Sequence, residues 1–231
     1  PDTRPVRFHL RLDGALDRAT PADGAAPMAF DFDPSKPVPT IGGAMSSLDP
    51  VASAGSWDQT EGPDFFGCAP PYLPLSSRPD VLSFQTAPLD AAVEVVGPVE
   101  AELWVATDGP DTDFTAKLID VHPPSADYPK GYAMILTDGI LRLRYAEDPE
   151  NPRLRRPGEV VRAVVTLFPT ANLFLPGHRI RLDVSSSNFP KFDVNPNTGE
   201  PEGRARRKRV AVNTVFADRA RPSAVVLRVR G

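Results

Sequence analysis

The sequence predicts an all-β protein, an antiparallel β-sandwich of the jelly-roll type with long irregular loops. Several segments alternate apolar and polar residues with a period of two, as half-buried strands do. The chain also has 28 prolines among its 231 residues, and they are scattered between these segments. Because proline fixes φ and donates no backbone hydrogen bond, this distribution favours many short elements over long helices.

Eight segments carry the strand pattern. In VEAELWV, which starts at Val99, every second residue is apolar, while Glu100 and Glu102 point to the other side. IRLDV, from Ile180, repeats this alternation. The other predicted strands are VRFHLRL from Val6, FTAKLIDV from Phe114, GILRLRY from Gly139, EVVRAVVTLF from Glu159, RVAVNTVF from Arg209 and AVVLRVR from Ala224. Turn sequences rich in Pro, Gly and Asp separate them.

Composition suits one domain, residues 1–231, and excludes several classes of protein. A single cysteine, Cys68, cannot form an internal disulfide, and no apolar run approaches the ~18 residues of a membrane span. The basic run RARRKR, from Arg204, lacks the interleaved aromatic residues that stack on bases, so we interpret it as a solvated turn. Neither a nucleic acid nor a membrane is predicted as a partner. The compartment stays open, with the cytoplasm favoured.

No catalytic residue and no cofactor are predicted in this chain. The GxSxG pentapeptide of α/β-hydrolases is absent, and so are phosphate-binding and dinucleotide-binding glycine motifs. His9, His122 and His178 lie in or beside strand patterns, where a hydrogen-bonded structural imidazole is the usual case. Cys68 has no base in its sequence neighbourhood and no cation closer than Arg78, which favours an inert buried thiol.

One acidic stretch, DGPDTDF, offers carboxylates at short spacing. Asp108, Asp111 and Asp113 are oxygen ligands of the kind that calcium prefers on β-sandwich loops. Their spacing does not match an EF-hand, and hydrogen bonding at turn starts also explains the aspartates. We therefore predict no metal site.

Four blocks, in chain order, carry a resemblance to a known family. They are DPSKPVPTIGG from Asp33, the stretch from DVLSFQ at Asp80 to DVHP, DGILRLRY from Asp138, and the stretch from PGEVVR at Pro157 to NPNTG. Together they resemble the C-terminal domain shared by cocaine esterases, X-prolyl dipeptidyl peptidases, α-amino acid ester hydrolases and glutaryl acylases.

The resemblance implies a galactose-binding-like jelly roll that follows an α/β-hydrolase domain and a helical cap domain on one longer polypeptide. The serine, aspartate and histidine of such enzymes lie in the hydrolase domain, so this chain alone is expected to be inactive. The partners implied are those two domains and a small ester or peptide substrate, while homo-oligomer formation stays open. We expect the true N-terminus to lie upstream of Pro1.

The most specific block, SSSNFPKFDVNPNTG from Ser185, is predicted to dock a strand end against another domain. The residues of this predicted interface are Asn188, Phe189, Pro190, Phe192, Asp193, Asn195 and Asn197. Asparagines hydrogen-bond to backbone and tolerate unusual φ/ψ, while phenylalanines supply rigid apolar area. An equally weighted alternative is that the loop only closes one end of the sandwich.

Two further expectations concern the irregular region that starts at Pro34. By resemblance, Met45, Ser46 and Ser47 stand where the acyl-pocket wall has a larger apolar surface, which argues against an aromatic acyl preference. In the insert 57–80, Phe65, Phe66 and Tyr72 could cover a substrate site, although packing on its own sandwich is favoured.

Two other functional classes stay open. One is a free-standing carbohydrate-binding module that would use exposed aromatic residues, of which Trp57 and Trp104 are the only tryptophans. The other is a structural domain that supports oligomer contacts.

Overall fold

The computed structural model describes residues 2–44 and 51–231, and in them it contains eleven β-strands in two sheets. The strands are β1 (Thr3–Leu10), β2 (Leu16–Asp17), β3 (Met28–Phe32), β4 (Leu82–Gln85), β5 (Val93–Thr107), β6 (Asp113–His122), β7 (Tyr132–Arg142), β8 (Val161–Phe174), β9 (Arg179–Ser185), β10 (Ala211–Phe216) and β11 (Ala224–Arg230). Two 3₁₀ turns, Leu75–Ser77 and Leu143–Tyr145, complete the regular structure. Neither of these turns has the length of a membrane span.

The larger sheet is organised around β5. β8 pairs along one side of β5, and β10 and β11 follow one another along the other side. The Ser223 hydroxyl bridges the gap between β10 and β11, because it accepts the Trp104 N–H at 2.8 Å and donates to the Phe216 carbonyl at 2.5 Å. β3 extends the sheet beyond β10, and β1 and β2 extend it beyond β11.

The smaller sheet has the order β4-β9-β6-β7, and all its pairs are antiparallel. Every second residue of β6 and β9 faces the larger sheet, so that Phe114, Leu118 and Leu182 are fully buried between the sheets. Phe30 of β3 meets Phe114 edge-on, with ring centroids 6.5 Å apart. The main core therefore lies between two packed sheets, as in other β-sandwiches.

The irregular segment before β4 covers the outer face of the smaller sheet. A second apolar cluster lies there and consists of Val38, Ile41, Leu75 and Val81. Gln59 donates to the Ile41 carbonyl at 2.8 Å and accepts from Lys117 of β6 at 3.3 Å. In its described residues this segment is therefore packed on its own sandwich, and β6 is buried on both faces along most of its length.

The predicted fold class is confirmed, and all eight predicted strands are present. Some boundaries are wrong: VRFHLRL leaves the sheet after Leu10, and GILRLRY leaves it after Arg142, where its last three residues form a 3₁₀ turn. At this point Leu143 N–H donates to the Thr112 carbonyl at 2.8 Å and Arg144 N–H donates to Asp111 at 3.0 Å, so these bonds replace the strand ladder. The strands that the sequence did not reveal, β2, β3 and β4, have only two to five residues.

Candidate docking site

The predicted interface residues lie in the loop that follows β9, and residues 188–197 are called the 188–197 loop below. It lies at the end of the sandwich where β6 begins and β7 and β9 end, because its side chains contact Asp113 and Asp138. Backbone hydrogen bonds tie its start to the segment before β4. Phe189 N–H donates to Val38 at 2.9 Å, and Thr40 N–H donates back to Phe189 at 2.7 Å.

A buried polar group anchors the first half of the 188–197 loop to β7. The Asn188 side-chain amide donates to Asp138 Oδ2 at 2.7 Å, and the Lys191 ammonium forms an ion pair with Oδ1 of the same carboxylate. All three side chains are buried. Removing either Asp138 or Lys191 would leave an uncompensated buried charge, so the arrangement specifies one position for the loop.

A second buried group anchors the other half. The Asn195 amide donates to Asp111 at 3.0 Å and to Asp113 at 2.7 Å. The two carboxylates also pair with Arg144 and Arg142, at 2.8 and 2.9 Å respectively. Burial raises the pKa of Asp113, although Arg142 and Asn195 favour its charged form. Two of the three aspartates considered as calcium ligands are therefore held by guanidinium groups.

Asn197 completes the closure of this end. Its φ of 61° is in the left-handed region that asparagine tolerates better than most residues. Its N–H donates to Asn195 Oδ1 and its side-chain amide donates to the Arg209 carbonyl, both at 2.9 Å. Arg209 in turn pairs with Asp108, the third of those aspartates, at 2.8 Å.

The other predicted residues of the loop face outward. Phe189, Pro190 and Phe192 are half-buried and Asp193 is exposed. The Phe189 ring lies against Phe66, with centroids 5.8 Å apart, and Phe66 is 49% exposed. Between them runs a groove of about 620 Å³, which is called the Phe66–Phe189 groove below. Its apolar lining includes Pro37, Pro39, Pro70, Pro71 and Leu73.

The 188–197 loop therefore combines the two arrangements that the sequence left open. Its asparagines close the sandwich from inside, and its phenylalanines are only half-covered. Two neighbours were missed at the sequence level, Lys191 and Phe168. The Lys191 ammonium lies 5.4 Å from the ring centroids of both Phe168 and Phe192, and Phe168 is exposed on β8. The alternation of β8 does point Phe168 away from the core.

The predicted pocket-wall residues Met45, Ser46 and Ser47 lie outside the described residues. The positions on either side of them are described. Gly43 and Gly55 exchange two backbone hydrogen bonds, of 2.8 and 3.0 Å. A Cβ placed on Gly43 would lie 3.5 Å from the Lys191 ammonium, so this bridge is next to the 188–197 loop.

The remaining candidates do not join this site. Burial raises the pKa of the Cys68 thiol, which is the opposite of an activated nucleophile. Trp104 lies on the outward side of β5, whereas Trp57 flanks β7 of the other sheet. The two tryptophans thus contribute to different surfaces, and they give no support to the carbohydrate-binding alternative.

Comparison with known proteins finds matches that cover nearly the whole chain. Residues 7–226 match the family model described as the X-Pro dipeptidyl-peptidase C-terminal non-catalytic domain. The chain is 38% identical to cocaine esterase of Rhodococcus sp. (strain MB1 Bresler) over 237 residues, which cover 98% of this chain and 38% of that protein.

Two solved structures show the same fold. An aminopeptidase from a marine sediment archaeon, Thaumarchaeota archaeon, matches 100% of this chain and 37% of its own, with 30% identity and a TM-score of 0.83. An α-amino acid ester hydrolase matches 97% of this chain and 36% of its own, with 29% identity and a TM-score of 0.82. The chain thus spans a little more than a third of the length of each of these relatives.

Proposed function

This chain belongs to the family of X-Pro dipeptidyl-peptidase C-terminal non-catalytic domains, and from that premise we propose that it supports a serine acyl hydrolase. In this proposal the catalytic and helical cap domains of the same polypeptide pack against the sandwich. The parent enzyme cleaves an ester or amide bond through an acyl-serine intermediate, and the segment with Met45, Ser46 and Ser47 helps to shape the acyl pocket.

The Phe66–Phe189 groove is the observation that carries the proposal. The 188–197 loop is fixed from inside by a buried ion pair and buried hydrogen bonds, so the half-buried Phe189 ring is presented in one arrangement without a further ordering cost, and the exposed Phe66 ring lies against it. Charged residues line the same groove, namely Lys36 and the ion-paired Glu61 and Arg78. An apolar centre with a polar rim is typical of a protein interface. Contacts between domains of one chain usually cover roughly 600–1,500 Å².

The test is a pair of substitutions in the full-length protein that the gene encodes. Phe66→Ser with Phe189→Ser is expected to lower the melting temperature by several degrees and the turnover of a p-nitrophenyl ester or an X-Pro anilide at least tenfold. Leu173→Ser is the matched control. Leu173 is 50% exposed, much as Phe66 is, but it lies near the end of β8 and does not line the Phe66–Phe189 groove. It is expected to leave both quantities unchanged.

A second measurement separates docking from folding. In the 231-residue chain alone, the same double variant is expected to unfold at nearly the wild-type urea concentration, because both rings are exposed at least in part. Unchanged turnover and melting of the full-length double variant would contradict the proposed docking surface. Full turnover and an unchanged melting temperature after deletion of residues 1–231 would contradict the supporting role itself.

A further inference from the structure

A cluster of Asp120, His122 and His178 lies at the end of the sandwich remote from the 188–197 loop. β6 spans ten residues, or about 30 Å, and Asp113 at its start contacts that loop, whereas Asp120 and His122 are at its end. The antiparallel register pairs Asp120 with Ile180 and Val121 with Arg179, which brings His122 opposite His178. Ile180 is a core residue, so the cluster lies on the inner face of the smaller sheet.

The three side chains bring their ligand atoms close together. His178 Nδ1 is 2.8 Å from Asp120 Oδ1, and His122 Nε2 is 3.8 Å from Asp120 Oδ2. The centroids of the two imidazole rings are 4.3 Å apart. One ligand atom from each of the three residues lies within 4.8 Å of the other two. In tetrahedral zinc sites neighbouring ligand atoms are about 3.3 Å apart. The His178–Asp120 distance is shorter than this value, and the His122–Asp120 distance is longer.

Two features of the cluster favour the binding of a cation. His122 Nε2 is buried and has no hydrogen-bond partner, although buried polar atoms are almost always paired. Asp120 is buried as well, and within the described residues no lysine or arginine forms an ion pair with it. A buried carboxylate without a fixed cation is costly. A cation between these three side chains would give His122 Nε2 a partner and would neutralise the Asp120 carboxylate.

We propose that Asp120, His122 and His178 bind one divalent transition-metal ion of the zinc class. Two imidazole nitrogens and one carboxylate are the donor set that zinc, cobalt and nickel favour, whereas calcium and magnesium require mostly oxygen ligands. On binding, His178 Nδ1 exchanges its hydrogen bond to Asp120 for the metal, and the neutral ring then carries its single N–H proton on Nε2.

The surroundings resemble those of known metal sites. Asn172 of β8 donates to Asp120 Oδ2 at 3.0 Å and orients the carboxylate, as outer hydrogen bonds do for metal ligands. His122 also lines a cleft of about 720 Å³ together with Tyr132 and Arg179, so the cluster borders this cleft on its His122 side. The metal would tie β6 to β9, and through Asn172 to β8 of the other sheet.

The test measures zinc binding by the intact protein after treatment with EDTA and dialysis. The wild type is expected to bind one more equivalent of Zn²⁺ than the double variant His122→Gln/His178→Gln. Any binding of Zn²⁺ at this site that the double variant keeps is expected to be at least 100-fold weaker than in the wild type. Zn²⁺ is also expected to raise the melting temperature of the wild type and not that of the double variant. His9→Gln is the control, because within residues 2–44 and 51–231 His9 belongs to no such cluster.

Co²⁺ provides a measurement that needs no variant. Intense visible absorption with one equivalent of Co²⁺, abolished by competing Zn²⁺, is expected for a site with two imidazoles and one carboxylate. Equal zinc stoichiometry and affinity in the wild type and the double variant would overturn the proposal. A featureless cobalt spectrum together with an unchanged melting temperature would do so too, and would identify the cluster as a hydrogen-bonded pair with an adjacent imidazole.

Discussion

The side-chain amide of Asn195 lies 2.7 Å from Oδ1 of Asp113, inside a region that water does not reach. The same amide nitrogen also contacts Asp111 at 3.0 Å. One asparagine of the 188–197 loop thus serves two buried carboxylates, each of which has one guanidinium partner. The loop is held by charge-assisted hydrogen bonds, which are roughly twice as strong as neutral ones.

Asn195→Ala is therefore expected to destabilise the chain by about 2–3 kcal/mol, since two buried carboxylates lose a donor that water cannot replace. Urea unfolding followed by tryptophan fluorescence measures this loss. Asp193→Ala is the control from the same loop, because Asp193 is exposed and such surface changes usually stay within about 0.5 kcal/mol. Equal midpoints for the two variants would show that the buried group does not hold the loop.

The sequence could predict the strands because their signal is local. In FTAKLIDV the alternation correctly places Phe114 and Leu118 in the core. The same alternation places Lys117 on the opposite face, which would be exposed to solvent if the sheet were isolated. The structure instead buries Lys117 beneath the segment that carries Gln59, fifty-eight residues away along the chain. An irregular segment has no period, so its docking position could not be predicted.

The same limit applies to the sites. The composition of the 188–197 loop indicated both polar closure and apolar docking, but only the contacts of Asn195 and Phe189 assign each role to particular residues. His122 and His178 are 56 positions apart, and their proximity depends on the register of β6 with β9. Each histidine alone fits an ordinary strand residue, so nothing local in the sequence indicates that the two lie together.

Gly139 of β7 permits a close approach to β8 of the other sheet. A Cβ at this position would lie 2.4 Å from the Thr166 carbonyl oxygen, which is backbone and cannot rotate away. Gly139→Ala is expected to push the strands apart and to destabilise the chain by about 1–3 kcal/mol, the usual cost of overpacking. Thermal unfolding followed by circular dichroism measures the change.

Gly62→Ala is the matched control for this substitution. Its added methyl group would meet only the Phe65 ring, at 3.5 Å, which is ordinary contact. Where the backbone tolerates a side chain, Gly→Ala usually stabilises by about 0.4–1 kcal/mol through the unfolded state. A Gly139→Ala protein as stable as Gly62→Ala would mean that the two sheets separate at this point without cost.

Lys117 is expected to make stability rise with pH in the alkaline range. Burial is the main cause that lowers its pKa from 10.5 to about 8, while Asp138 and Asp183 oppose the shift. Between these two values the unfolded chain binds a proton that the folded chain has released, so raising the pH favours the folded state. The penalty for burying the ammonium is complete below pH 8 and is relieved as the pH approaches 10.5.

The measurement is the free energy of unfolding at pH 7 and pH 9.5 for the wild type and Lys117→Met. From the two pKa values, the lysine should add about 2 kcal/mol to the change in stability between these pH values, and this part should vanish in the variant. Only the difference in pH dependence is diagnostic, because Lys117→Met also leaves Gln59 Oε1 without its donor. Parallel pH profiles would show that Lys117 keeps its proton beneath the covering segment.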